Sequence, residues 1–181
     1  MVAIQLWAED MNKKGGLLGR PVELVFYDDQ TNPKNVPGIY SKLLDIDKVD
    51  LIVSGYGTNL IAPAMPIAIE REMTFMGLFG MNANAKWEYE KYFSILPAGP
   101  DPAVGFSEVW FQAVQKKFQP KTIAVIAADA EFAQNLKEGA VRNAKAFGME
   151  IVYEENYNPK TPDFTPILRA ANAKKPDAIY I

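Results

Sequence analysis

The six residues Ser54-Gly55-Tyr56-Gly57-Thr58-Asn59 stand between the apolar run Val49–Val53 and a stretch with helical character. A strand-to-helix turn of this kind leaves backbone N–H groups without partners at the helix start, facing the crevice beyond the strand ends. A carboxylate placed there gains hydrogen bonds and a favourable helix dipole. Gly55 and Gly57 let a ligand approach the backbone, and the Thr58 hydroxyl can either cap the helix or reach the ligand. Tyr56, Gly57, Thr58 and Asn59 are therefore candidate ligand contacts, beside the plainer reading of a tight turn with a capping threonine.

Two further strand ends carry aromatic residues. Phe79-Gly80-Met81-Asn82-Ala83-Asn84 follows the β-forming run Thr74–Leu78, and Phe132 follows Lys121–Ala127. If Tyr56, Phe79 and Phe132 converge on a crevice, their rings suit an apolar or aromatic solute; otherwise each packs under its own loop. Phe79, Gly80 and Asn82 join the candidate contacts, as does Phe132. Asp28-Asp29, just before Asn32-Pro33, reads as a turn and cap rather than a cation site, because no ligand set with calcium-loop spacing follows.

The elements that position these residues alternate. Helical spacing predicts helices over Val2–Lys14, Lys34–Ile46, Asn59–Arg71, Val104–Phe118, Ala130–Phe147 and Phe164–Ala173. Pro63 and Pro66 predict a late start or a bend in the third of these. Strands are predicted at Val22–Tyr27, Asp50–Ser54, Thr74–Leu78, Lys91–Leu96, Lys121–Ala127, Glu150–Tyr157 and Asp177–Ile181. Such α and β alternation with short connections predicts an α/β fold of doubly wound parallel sheets. The breakers Pro97-Ala98-Gly99-Pro100-Asp101-Pro102 mark a crossover, so two lobes are expected, residues 1–100 and 101–181.

Composition narrows the chemistry. The 181 residues include no cysteine and no histidine, which removes disulfides, thiolate or imidazole metal sites, and the Ser-His and Cys-His nucleophile pairs. No catalytic residue, metal or cofactor is expected. A net charge of −3 with mixed signs gives no electrostatic footprint for nucleic acid or a membrane surface. No apolar run reaches the roughly 20 residues of a membrane span, and Met1–Leu6 lacks the basic start of a signal peptide, so an export signal is expected to be removed or omitted. Neither a dinucleotide nor a phosphate-loop glycine motif is present.

Several motifs, in order and spacing, resemble one family. Glu9-Asp10-Met11-Asn12-Lys13-Lys14-Gly15-Gly16-Leu17-Leu18-Gly19-Arg20-Pro21-Val22, Pro162-Asp163-Phe164-Thr165-Pro166-Ile167-Leu168 and Lys175-Pro176-Asp177-Ala178 are similar to segments of type I periplasmic solute-binding proteins, such as the leucine/isoleucine/valine-binding proteins. The resemblance implies two α/β lobes that close on a small carboxylate-bearing solute, an amino acid or an aromatic acid, and hand it to the membrane permease of an ABC importer. It implies that Thr58 occupies the place of a hydroxyl residue that binds the ligand carboxylate. Phe132 stands where the family usually has tyrosine, and so lacks the phenolic hydroxyl. The family's small-then-threonine pattern is not matched at Phe79–Asn82.

The family also has a strand before the first helix and a long continuation after the strand at Ile181. The resemblance thus implies a fragment, whose sheet is completed by missing chain segments or by a second molecule. A periplasmic or lipid-anchored extracellular location is implied. The same module also serves as the ligand-sensing domain of amide- or amino-acid-responsive regulators and receptors, which is the alternative reading; an enzyme on a Rossmann-like fold is a third.

Overall fold

The computed structural model describes residues 2–96 and 99–181. Its contacts divide the chain into two units, one running through Asp50 and the other from Leu51 to Ile181.

The first unit opens with helix α1 (Val2–Lys13). It stops where Gly15 and Gly16 take φ of 100° and 84°, and the Gly16 N–H donates to the Met11 carbonyl at 2.9 Å. A Cβ on Gly16 would lie 2.0 Å from the Arg20 carbonyl oxygen, so this turn requires glycine. Helix α2 (Val36–Ser41) carries Pro37 in its first turn and runs on as a π-helical turn, Lys42–Ile46. Val36 and Tyr40 are its buried residues.

One expected strand does not form. Val22–Tyr27 lies outside every β-ladder among the described residues. Its alternation supplies β preference, but a strand exists only as hydrogen-bonded pairs, and no described segment supplies them. Side chains hold its two ends instead. The Asn12 amide accepts from the Val22 N–H at 2.6 Å and donates to the Val22 carbonyl at 2.9 Å, while the Tyr27 hydroxyl donates to Asp47 at 2.8 Å. Val25 and Phe26 are left exposed.

In the second unit, strands β1 (Ile52–Tyr56), β2 (Phe75–Leu78) and β3 (Tyr92–Ser94) form one parallel sheet in that order. Two short helices, α3 (Thr58–Ile61) and α4 (Met65–Glu70), connect β1 to β2. Pro63 and Pro66 lack amide hydrogens, which fits the division of the predicted single helix in two. Ile61, Met65, Phe75 and Met81 are fully buried.

Helix α5 (Pro102–Phe118) leads to the second sheet, in which β4 (Thr122–Ala128) lies between β5 (Glu150–Tyr157) and β6 (Ala178–Tyr180), all parallel. Ile123 and Val125 pack with Phe111 of α5 and with Ala140 and Ala144 of α6 (Glu131–Ala146). The alternate residues Ala124 and Ile126 pack with Ala171 of α7 (Thr165–Ala173). Successive strand residues face opposite ways, so helices cover both faces of this sheet, as in a doubly wound α/β fold.

Gly139 lets α5 and α6 touch at their backbones, since a Cβ there would lie 1.8 Å from the Ala103 carbonyl oxygen. Asn143 spans the same contact, donating to the Val104 carbonyl and the Ser107 hydroxyl, each at 2.9 Å. At the sheet's lower rim Asp177 accepts from the N–H groups of Lys121 and Thr122 and from the Thr122 hydroxyl, at 2.8–3.0 Å. These bonds hold the Asp177 carboxyl below its ordinary range, the two backbone donors contributing most.

The breaker cluster falls inside this second unit. Pro97 and Ala98 lie outside the described residues; the first sheet ends before them at Ser94 and the second begins after them at Thr122.

Candidate solute-binding site

The 54–59 turn starts from a bulge. Ile52 and Val53 pair with Phe75 and Met76, but Tyr56 pairs with Leu78, so β1 carries one residue more than β2 over this interval. The Ser54 hydroxyl fills the gap in the ladder, accepting from the Leu78 N–H and donating to the Gly55 carbonyl, both at 2.7 Å. Bulges re-aim the side chains that follow. Here the residue that follows is Tyr56, which is 64% exposed. Gly57 then takes φ 90° and ψ 160°, open to glycine and strained for other residues, and its carbonyl starts α3 by accepting from Leu60 and Ile61.

Thr58 is buried, and its hydroxyl is fully engaged. It accepts from the Met81 N–H at 2.8 Å and donates to the Met81 carbonyl at 3.0 Å. This pair fastens the first turn to the loop after β2. That loop needs fastening, because Phe79 and Asn82 both sit at positive φ, 55° and 50°. The structure thus commits the Thr58 hydroxyl to the protein's own backbone, where the sequence suggested a cap or a ligand contact. Asn59 is half-buried beside Gly57.

The three candidate aromatics do come together. Tyr56 lies 5.3 Å from Phe79 and 6.3 Å from Phe132 between ring centroids. Phe106 of α5, which the sequence reading did not single out, extends the row by an edge contact to Phe132 at 6.3 Å. It lies on a helix that buries only Ala103, Ser107 and Phe111. Tyr56, Phe79 and Phe106 remain at least 41% exposed, so the row presents an apolar surface at the carboxyl ends of strands from both sheets. Exposed apolar surface gathered in one place marks a binding surface more often than scattered single residues do.

Gly80 and Asn82 occupy a different position. They line an open cleft of about 360 Å3 together with Asn84, Tyr92, Ser94 and Pro100. Asn84 is already engaged with the backbone of Tyr89 through both ends of its amide. The eight candidate residues therefore divide: Tyr56, Phe79 and Phe132 make the aromatic row, Gly80 and Asn82 a polar cleft wall, and Gly57, Thr58 and Asn59 the turn behind them. Among the described residues no cluster of acidic side chains suits a metal ion.

The periplasmic binding protein profile matches residues 1–181. The chain belongs to the periplasmic binding protein family. It is similar to an amino acid binding protein of Pseudomonas aeruginosa, with 23% identity over 96% of this chain and 46% of the relative. Among solved structures, a branched-chain amino acid transporter substrate-binding protein of Streptococcus pneumoniae in complex with isoleucine superposes with a TM-score of 0.81 at 20% identity, over 97% of this chain and 49% of that one. A solute-binding protein of an ABC transporter from R. palustris in complex with benzoate gives 0.84 at 18% identity, over 97% and 48%. The fold is that of the type I periplasmic binding proteins, and the chain spans about half the length of the relatives it matches. Among the described residues no helix is long and apolar enough to cross a membrane.

Proposed function

We propose that this chain forms part of a non-enzymatic periplasmic receptor that captures a small carboxylate-bearing organic solute and delivers it to the membrane subunits of an ABC importer. The observation that carries the reading is the aromatic row Phe79–Tyr56–Phe132–Phe106, held at the carboxyl ends of parallel strands, where ligands of open α/β sheets bind. Residues 1–100 and 101–181 act as two lobes, and solute binding shifts them toward a closed state by its higher affinity for that state.

Tyr56, Phe79 and Phe132 form the apolar wall, with Gly57, Asn59, Gly80 and Asn82 supplying close backbone approach and polar contacts. Thr58 serves the site by holding the Phe79–Asn82 loop in its strained conformation. The membership of the family and the isoleucine and benzoate bound by its structural neighbours support this choice of solute class.

The test is calorimetric titration of the full-length protein with L-isoleucine, benzoate and benzamide. The reading expects saturable binding of at least one carboxylate, L-isoleucine or benzoate; no heat of binding with either overturns it.

A further inference from the structure

The second sheet gathers lysines at one end. Its helices end and its strands begin on the same rim, because each helix runs back antiparallel to the strands it connects. Lys116 and Lys117 stand in the last turn of α5 and Lys145 in the last turn of α6, Lys174 and Lys175 follow α7, and Lys121 precedes β4. Backbone bonds tie these segments together: the Lys121 carbonyl accepts from the Glu150 N–H, and the Asp177 carboxylate accepts from the Lys121 N–H, both at 2.8 Å. All six lysines are exposed, and among the described residues none of their ammonium groups forms an ion pair. Glu150 and Asp177 are the acidic residues of these segments, and Asp177 is already engaged with the start of β4. The chain's net charge of −3 is a sum that conceals this local excess of cations.

Helix dipoles account for part of it. A cation in the last turn complements the partial negative charge of a helix C-terminus, and one lysine per helix would serve. Yet α5 and α7 each end on two, and Lys121 belongs to no helix. Nor does the dipole explain Phe118, the last residue of α5, which is 68% exposed with the Lys117 ammonium 5.1 Å from its ring centroid.

The residue types select the partner. An acidic protein surface is gripped best by arginine, whose planar fork pairs with carboxylates in fixed geometry, and these segments contain none. Lysine offers a mobile point charge that suits phosphates spread over a surface. An exposed aromatic ring among lysines suits the boundary between headgroups and acyl chains.

We propose that this lysine rim, with Phe118, docks the second sheet onto a membrane surface rich in anionic phospholipid headgroups. The rim lies at the strand ends opposite Phe132, so docking leaves the aromatic row uncovered. The docking goes beyond the receptor reading and does not depend on it.

The test is co-sedimentation of the full-length protein with vesicles of phosphatidylcholine alone and with vesicles carrying about 30% phosphatidylglycerol. The proposal expects binding to the anionic vesicles only, lost in about 1 M salt, where charges are screened within about 3 Å. The double variant Lys116→Ala/Lys117→Ala should bind these vesicles roughly tenfold or more weakly, and Phe118→Ala should weaken binding as well. A charge-matched control, Lys34→Ala/Lys86→Ala, removes two exposed lysines elsewhere and should bind as wild type does. Every side chain replaced is exposed, so the fold should tolerate each change, and thermal unfolding checks it. Equal binding to both kinds of vesicle, binding to neither, or an equal loss in the rim variant and the control overturns the proposal. Retention on immobilised poly-L-glutamate without vesicle binding also overturns it, and assigns the rim to an acidic protein partner.

Discussion

The two parallel sheets of the second unit use the same kinds of strand for different ends. In the second sheet β4 is buried along nearly its whole length, helices cover both faces, and the polar groups close on themselves, as Asp177 does at the start of β4 and Asn143 between α5 and α6. In the first sheet the strand ends are irregular. A hydroxyl stands in for a ladder bond at the β1 bulge, the loop after β2 holds Phe79 and Asn82 at positive φ, and the rings of Tyr56 and Phe79 stay exposed, whereas the second sheet's bulge in β5 between Ile151 and Tyr153 and its positive-φ residues Gln119 and Lys175 lie at the opposite, amino ends of its strands. The first sheet's departures thus gather at the carboxyl ends of its strands, where ligands of such sheets bind, and the second sheet's lie at the opposite rim.

The largest expected effect comes from cutting the tie that keeps the first sheet's loop in place. Thr58→Val preserves shape but leaves the Met81 N–H and carbonyl buried without partners, an expected loss of about 3 kcal/mol from two such groups. Urea unfolding of the full-length protein measures it. Because the loop carries Phe79, Gly80 and Asn82, solute affinity should fall by roughly tenfold or more as well, on the order of 1.4 kcal/mol. Stability lost with affinity intact would separate the loop from the site.

A smaller change is expected in the second sheet. Asp177 has its pKa lowered in the folded protein, so it contributes stability above its unfolded pKa, and that contribution is lost as pH falls through the folded value. Asp177→Asn should therefore lower the melting temperature at neutral pH, with the gap from wild type closing in acid below the ordinary carboxylate range. Solute affinity at neutral pH should not change. A gap independent of pH would mean that the carboxylate charge is irrelevant to the start of β4.

Much of this division was legible in the residues. Val104–Phe118 and Glu150–Tyr157 announced their elements through periodicity, and the glycine-bounded turn at Tyr56 announced a special backbone. The bulge was not legible, because it depends on the register of Leu78 against Tyr56, which only pairing defines. Val22–Tyr27 shows the same limit from the other side: β-forming residues without a ladder remain an extended segment. Thr58 was found as a residue but not as a role, since its partner Met81 lies 23 positions away. Phe106 was hidden because an aromatic on a helix usually reads as core, and only its exposure marks it as different.

The exposed aromatic row at the carboxyl ends of strands from both sheets is the proposed solute-binding wall. Tyr56 lies at its middle and is 64% exposed, so removing its ring should disturb the fold little. The direct measurement is calorimetric titration of full-length Tyr56→Ala beside wild type with the tightest-binding of L-isoleucine and benzoate. The account predicts an affinity loss of roughly tenfold or more, on the order of 1.4 kcal/mol, with the ligand-free melting temperature nearly unchanged. Equal affinity in the two proteins would contradict it.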